Sequence, residues 1–285
     1  MVTGAHGQLA DAVLRAFADW DVIAHVRASL DVTDPRQVAA TVAETSPAVI
    51  VNCAAFNDVD GAEDRPEDAL AVNAFAVRSL ARAADECGAA LVHYGTDFVF
   101  DGIASEPYGE DAPPSPRSTY AMSKLLGEWF GMEAKRGYVL RVESLFGMDP
   151  NWIGRLGTLD KIVRALREGR EVAAFTDRVV TPSYVEDVAA ATRMLVEHGA
   201  APGLYHCVNS GSATWYKVVE ESARTLGITG SIKPITTDSV TMRAARPKYC
   251  ALSNTKLRAA GFVMPSWQDA IARWLGGARE QRGFT

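Results

Sequence analysis

The chain has 285 residues, enough to bury a sizeable core and to form two domains. A net charge of −6 excludes the basic footprint expected of a nucleic-acid or anionic-membrane binder, and no apolar run approaches the roughly 18 residues of a bilayer span. Four scattered cysteines without a CxxC pair, no His cluster at zinc spacing and no signal-peptide pattern predict a reduced, cytoplasmic protein with neither nucleic acid nor membrane as partner.

The first element is unusually short. The chain opens MVTGAHGQLA, so only three residues precede the turn Gly4-Ala5-His6-Gly7. In a doubly wound sheet the first strand is central, and its neighbours on both sides can hold a short piece. The expectation is either a short strand or a natural start upstream of Met1, and this reading favours the second.

Beyond that turn, short apolar runs alternate with helical patterns. Residues 21–26, 48–52, 90–94 and 138–141 read as strands rich in β-branched residues. Residues 9–18, 35–44, 66–86 and 118–135 carry apolar positions at helical spacing. Such alternation predicts right-handed βαβ crossovers and a parallel sheet covered on both faces. After Gly147 the alternation loosens. Residues 152–170, 188–198, 214–226 and 267–275 read as helices, and 230–247, with two prolines and scattered polar residues, reads as loop. The predicted fold class is α/β: a Rossmann-like doubly wound parallel sheet over 1–147 and a smaller C-terminal α/β domain over 148–285. Some elements after 171 are expected to return to the sheet.

Two motifs carry chemistry. Gly4 and Gly7 let the backbone approach a pyrophosphate, Leu9 onward supplies a helix N-terminus, and Ala10 is the third small position. In Tyr120-Ala121-Met122-Ser123-Lys124, residues i and i+4 share a helix face, so a phenol and an ammonium sit side by side. A nearby cation stabilises phenolate and makes Tyr120 a usable proton donor to a carbonyl. Thr96 lies at the carboxyl end of a strand, where open α/β sheets place their ligands. The small residues of Asn52-Cys53-Ala54-Ala55 leave room for a cofactor beside the sheet.

With these residues in view, the chain resembles the extended short-chain dehydrogenase/reductases, and within them the dTDP-4-dehydrorhamnose reductase group. The resemblance covers essentially the whole chain. It rests on TGAHGQL, LDVTD (30–34), VNCAAFNDVDGAED (51–64), AVNAFAV (71–77), YGTDFVFDG (94–102), the run from Tyr120 to Glu128, TPSYVEDVA (181–189), RPKYCALSNTKL (246–257) and PSWQDAI (265–271). It implies NAD(P)H-dependent reduction of the 4-keto group of a nucleotide-activated 6-deoxy sugar, as in dTDP-L-rhamnose synthesis. Tyr120 would be the acid, Lys124 would ease its ionisation and hold the nicotinamide ribose, and Thr96 would assist at the carbonyl. Gly4, Gly7, Gln8 and Leu9 would line the pyrophosphate, Asp31 and Val32 the adenine, and Ala55, Phe56 and Asn57 the ribose and nicotinamide. His6, Cys53, Ala54 and Asn73 complete the expected cofactor set. Asp97, Ser144, Arg243 and Arg246 join Thr96 on the substrate side.

Cofactor choice follows from charge. An acid ending the second strand would repel a 2′-phosphate, whereas His25-Val26-Arg27 offers a guanidinium there. NADPH is therefore expected, with NADH possible. Three positions depart from the family pattern: Ser144 replaces the usual tryptophan, Asn57 a smaller hydroxyl residue, and Ala121 a glycine. Some relatives hold a divalent ion through acids on the first helix. Here Asp11 is the sole acid of its first two turns, so no metal is expected. Two other readings stand beside the reductase. One is a non-catalytic NADP-binding regulatory subunit of the methionine adenosyltransferase type, and the other is a sugar-nucleotide epimerase or dehydratase using Asp97 and Glu143. A monomer or homodimer is expected.

Overall fold

The computed structural model describes residues 1–148, 154, 156–229 and 231–280, the last four by their backbone alone. Its strands are β1 (Val2–Thr3), β2 (Ala24–His25), β3 (Val49–Asn52), β4 (Ala90–Thr96), β5 (Gly137–Val142), β6 (Val172–Phe175), β7 (Val179–Val180), β8 (Gly203–His206), β9 (Ala213–Thr214) and β10 (Ile232–Ile235). The longer helices are α1 (Gln8–Ala16), α2 (Pro35–Thr45), then the short α3 (Gly61–Asp64) and α4 (Pro66–Leu70), and α5 (Ala76–Cys87) and α6 (Thr119–Glu133). The second half adds α7 (Thr158–Arg167), α8 (Val185–Glu197), α9 (Trp215–Leu226), α10 (Thr255–Ala259) and α11 (Trp267–Glu280).

Six strands form one parallel sheet in the order β2-β1-β3-β4-β5-β8. From β1 the chain steps to β2 on one side and then to β3 on the other. The switch point, and with it the expected ligand crevice, lies between β1 and β3. β8 pairs with β5, so an element well beyond residue 171 does return to the sheet.

Both faces of this sheet are covered, which is why β4 is buried along all seven residues. On one face Leu9, Val13, Val188 and Leu195 from α1 and α8 pack on Val51, Val92 and Leu140. On the other, Val38 and Val42 of α2 and Val77, Leu80 and Ala84 of α5 pack on Ile50 and Leu91. Local chemistry sets the helix ends. The Asp34 carboxylate accepts from the N–H groups of Arg36 and Gln37, with Pro35 in the first turn, and α2 stops at Ser46 in the left-handed region. Ser118 caps α6 by accepting from Ala121 N–H.

β1 is short and held from both sides. Val2 N–H donates to Ile23 O at 2.8 Å, and Val51 N–H donates to Met1 O at 2.9 Å. The Met1 ammonium donates to Val49 O at 2.9 Å, and burial pushes it below the usual range of an α-amino group. Beneath it lies a cleft of about 240 Å³ lined by Trp20, Ile23, Thr45 and Pro47, among others.

Four expectations need correction. The second strand is Ala24–His25, shorter than 21–26. The helix predicted over 66–86 is three pieces, with a π-helical turn over Ala71–Phe75 that widens the backbone where Asn73 must turn inward. Of the helix predicted over 152–170, the described part is Thr158–Arg167, and Trp152 lies outside the described residues. The predicted loop 230–247 contains β10, which runs parallel to β6. Pro234 argues against a strand, yet β10 has a single partner in its two-stranded sheet, and an edge position tolerates a missing N–H.

Candidate active site

A cleft of about 690 Å³ opens across the carboxyl ends of β1, β3, β4 and β5. At one end lies the glycine turn. Gly4 has φ +68°, and a Cβ there would come within 2.6 Å of Ala54 N and 2.8 Å of Ala54 Cα. Backbone from β1 and β3 therefore meets at the switch point with no side chain between. Gly7 caps α1 without a side-chain bond, so the first N–H groups of that helix remain available to an anion. These features fit a dinucleotide pyrophosphate: a Cβ-free approach, a helix N-terminus, and a groove running on past Cys53, Ala54 and Ala55. Gln8 is itself anchored, because its Nε2 donates to Asp160 Oδ2 at 3.1 Å. Asp160 in turn accepts from the N–H groups of Gly147 (3.2 Å) and Met148 (2.8 Å).

At the other end, α6 delivers Tyr120 and Lys124, both buried. The start of α6 is pinned by Glu63, which accepts from Thr119 N–H at 2.8 Å and from the Thr119 hydroxyl at 2.9 Å. The Tyr120 ring meets Phe98 edge-on at 5.8 Å between centroids. Lys124 Nζ donates to Tyr94 O at 2.5 Å. Burial lowers the Lys124 ammonium to about 8, opposed by the charges of Glu128 and Cys53. Thr96 ends β4, and its hydroxyl donates to Asp97 Oδ1 at 3.1 Å.

Behind Thr96 lies a buried ion pair. Arg141 donates to Glu128 through Nε at 3.1 and 3.0 Å and through an Nη at 2.8 Å. Glu128 also accepts from Thr96 N–H at 3.4 Å. A Cβ at Gly95 would stand 2.3 Å from Glu128 Oε1, so that glycine makes room for the pair. Removing one partner of such a pair leaves an uncompensated buried charge, a cost of about 3–5 kcal/mol. Thr96 is thus set on a rigid base.

The cleft brings together His6, Gly7, Gln8, Leu9, Cys53, Ala54, Ala55, Asn57, Thr96, Asp97, Tyr120, Lys124, Ser144 and Arg246. Ser144 sits there at φ +47°, a backbone strain of the kind that gathers at ligand sites. Gly4 lies just behind the wall. Asn73 is wholly buried and supports the wall from the rear: its side chain accepts from Phe56 N–H at 2.8 Å, donates to Phe56 O at 3.1 Å, and donates to Ser123 Oγ at 3.0 Å. Arg27, Asp31, Val32 and Arg243 do not line the cleft. Val32 packs with Leu30 and Val38 in the core, Arg27 is exposed, Asp31 accepts from Thr33, and Arg243 is paired with Asp64. Arg246 does reach the cleft, but Asp60 holds it at 2.9 and 2.8 Å. That partner, with Asp160, Glu63, Arg178, Phe175 and Trp215, escaped sequence reasoning. Asp60 and Glu63 lie within the 51–64 motif but meet their partners 186 and 56 residues away, and the others come from the second half.

On α1, Asp11 is taken up by Arg15, which also donates to Glu186 at 2.6 Å. Elsewhere among the described residues, Asp97, Glu143 and Cys250 bring ligand-type atoms within 4.8 Å of one another.

With this geometry in hand, likeness to known proteins is specific. A family profile described as RmlD substrate binding domain matches residues 1–279. The chain belongs to that family. It is 36% identical to the dTDP-4-dehydrorhamnose reductase of Streptomyces griseus over 95% of this chain and 91% of that one. It is 34% identical to the dTDP-4-keto-6-deoxy-D-glucose reductase of Streptomyces niveus, covering 96% and 95%. The crystal structure of the Bacillus anthracis dTDP-4-dehydrorhamnose reductase, in complex with NADP, superposes with a TM-score of 0.91 at 31% identity, covering 97% of this chain and 98% of that one. Membership in the RmlD family accounts for the unbroken series of motifs from the glycine turn to the last helix, and it agrees with the Rossmann-like sheet described above.

Proposed function

We propose that this chain is a dTDP-4-dehydrorhamnose reductase: it reduces the 4-keto group of a nucleotide-activated 6-deoxy sugar with NADPH, in dTDP-L-rhamnose synthesis. The observation that carries this reading is one continuous cleft joining the Gly4–Gly7 turn to Tyr120, Lys124 and Thr96. NADPH, when bound, supplies the hydride. Gly7 and the N-terminus of α1 hold the pyrophosphate. Tyr120 gives its proton to the carbonyl oxygen as that oxygen gains charge, and the Lys124 ammonium offsets the charge left on the phenol. The Thr96 hydroxyl, which donates to Asp97 without substrate, turns to donate its one proton to the same oxygen. Residues 1–147 hold the cofactor and 148–285 contribute most of the sugar-nucleotide wall, with Phe175, Trp215 and Arg178 facing the cleft. Arg246 meets the diphosphate, Arg243 lies further out, and the enzyme works in the cytoplasm as a monomer or homodimer.

No described helix is long and apolar enough to cross a membrane. The test is a panel of nucleotide 4-keto-6-deoxy sugars with NADPH and NADH, followed at the nicotinamide absorbance band. Turnover of dTDP-4-dehydrorhamnose with NADPH is expected. Cofactor binding without turnover of any sugar would favour the regulatory-subunit reading instead.

A further inference from the structure

Next to Thr96 two carboxyl groups, those of Asp97 and Glu143, are buried together. Asp97 is 3% exposed and Glu143 2% exposed. Each has one satisfied oxygen and one orphan. Asp97 Oδ1 accepts from Thr96, while Asp97 Oδ2 has no partner. Glu143 Oε2 accepts from Thr181 N–H at 2.7 Å and from the Thr181 hydroxyl, while Glu143 Oε1 has none. A buried, unsatisfied carboxylate oxygen costs several kcal/mol, so one on each of two acids clustered within 4.8 Å calls for a common explanation.

Carboxyl oxygens of the two acids lie within 4.8 Å of each other, and a proton on one lets it donate towards the other, where an ionised pair only accepts. The charges agree. Facing the two acids from the segment before β7 is the guanidinium of Arg178, and from the segment after β10 come the thiol of Cys250 and, towards Glu143, the phenol of Tyr249. With Cys250 and Tyr249 neutral, two carboxylates, one guanidinium and one proton sum to zero, whereas without the proton a buried negative charge is left over. Like charges this close cannot both ionise cheaply.

We propose that Asp97 and Glu143 share one proton at neutral pH, and that Glu143 is a positioning residue which, through Asp97, keeps a second negative charge away from Thr96. This rests on the reductase reading for its consequence, since the carbonyl oxygen that Thr96 faces gains negative charge during reduction. It adds that a residue outside the cleft wall controls the field at that oxygen. Burial is the leading cause that raises both acids, Asp97 to about 6 and Glu143 well above the usual carboxylate range, and the charge of Asp97 adds to the rise at Glu143.

The test has two arms on the full chain. Infrared difference spectra near pH 7 should show the carbonyl stretch of a protonated carboxyl, lost in Glu143→Gln and also in Asp97→Asn, which guards against one variant failing to fold. The second arm is the ratio of wild-type to Glu143→Gln turnover with rising pH. Only the wild-type pair can acquire the second charge, so the ratio should fall as pH rises through that ionisation and level off above it. Lys124 titrates alike in both proteins and cancels. An absent band, a band that survives both substitutions, or a flat ratio overturns the proposal. So does stoichiometric binding of Zn²⁺ or Mn²⁺ that Glu143→Gln abolishes, which would make the cluster a cation site. The infrared arm needs no substrate, so if no sugar is turned over the reductase reading fails while the band alone decides this one.

Discussion

The two halves of the cleft are built by different means. The half proposed to hold the cofactor is made of backbone: Gly4 stands against Ala54 with no side chain between them, and Gly7 leaves the N-terminus of α1 open. The half proposed to take the substrate is made of side chains held by distant partners, such as Arg246 on Asp60, with Glu143 close to Asp97 but outside the wall. Backbone sites need particular residues at fixed spacing along a short stretch. Side-chain sites need partners that only the fold brings near. The teaching is that the first kind leaves a mark in sequence and the second leaves almost none.

The largest effect is expected where the halves meet. Tyr120→Phe should lower turnover by about 10²–10⁴-fold while cofactor titrations stay nearly unchanged, because the phenol acts only as the oxygen becomes charged. Loss of cofactor binding in parallel would mean that Tyr120 builds the cofactor half and does no chemistry. The same region sets a pH dependence. Since Lys124 titrates at about 8, turnover should fall as pH rises above that value and the ammonium is lost. Stability should move the other way. A lowered ammonium favours folding less while it is charged, so the penalty is full below about 8 and is relieved as pH rises from there towards 10.5, the ordinary lysine value. Melting curves and initial rates across that window measure both signs.

A smaller effect isolates the backbone half. Gly4→Ala places a Cβ 2.6 Å from Ala54 N and holds alanine at φ +68°. The left-handed region costs about 1–2 kcal/mol for a residue with a Cβ, and overpacking about 1–3 kcal/mol more. Cofactor affinity should drop roughly tenfold to a hundredfold, with a lower melting temperature. An unchanged affinity would show that the turn does not meet the pyrophosphate.

How legible the chain was follows the same division. The sheet and its covering helices could be read because β3, β4 and β5 are largely apolar, α1 and α2 carry apolar residues at helical spacing, and α2 and α6 carry side-chain caps. Gly4, Gly7, Thr96, Tyr120 and Lys124 sit in local motifs, and four of the five line the cleft. By contrast β10 was hidden by Pro234, whose missing N–H argues against a strand unless the edge position is known. The wide turn at 71–75 left no trace, since its cause is the fit of Asn73 against Phe56 and Ser123. Asp60 read as one acid among several in NDVDGAED, because Arg246 is 186 residues away. Glu143 could be listed as a candidate acid from its place near Thr96, but nothing local told that its partner is Asp97.

The smallest expected effect tests how far the backbone half extends. Arg27 lies two residues beyond β2, which flanks the glycine turn, since Ala5 N–H donates to His25 O at 3.0 Å. It is exposed and outside the cleft lining, in a turn closed by Ser29, whose hydroxyl accepts from Val26 N–H at 3.1 Å. Its charge also acts on Asp31, which is held below the usual carboxylate range first by the Thr33 hydroxyl and backbone and lastly by Arg27. A 2′-phosphate reaching Arg27 would gain a charge-assisted contact of about 1.5–3 kcal/mol when well shielded. Exposure and the neighbouring Asp31 carboxylate both reduce that, because screened surface pairs are worth only about 0–1 kcal/mol. Arg27→Ala should therefore weaken NADPH by up to about fivefold and leave NADH unchanged, and the difference should shrink as salt is added. Paired titrations of the two cofactors at low and high salt measure it. Equal losses for both would place Arg27 in the fold of the turn, and no loss for either would end the backbone half of the cleft at β2.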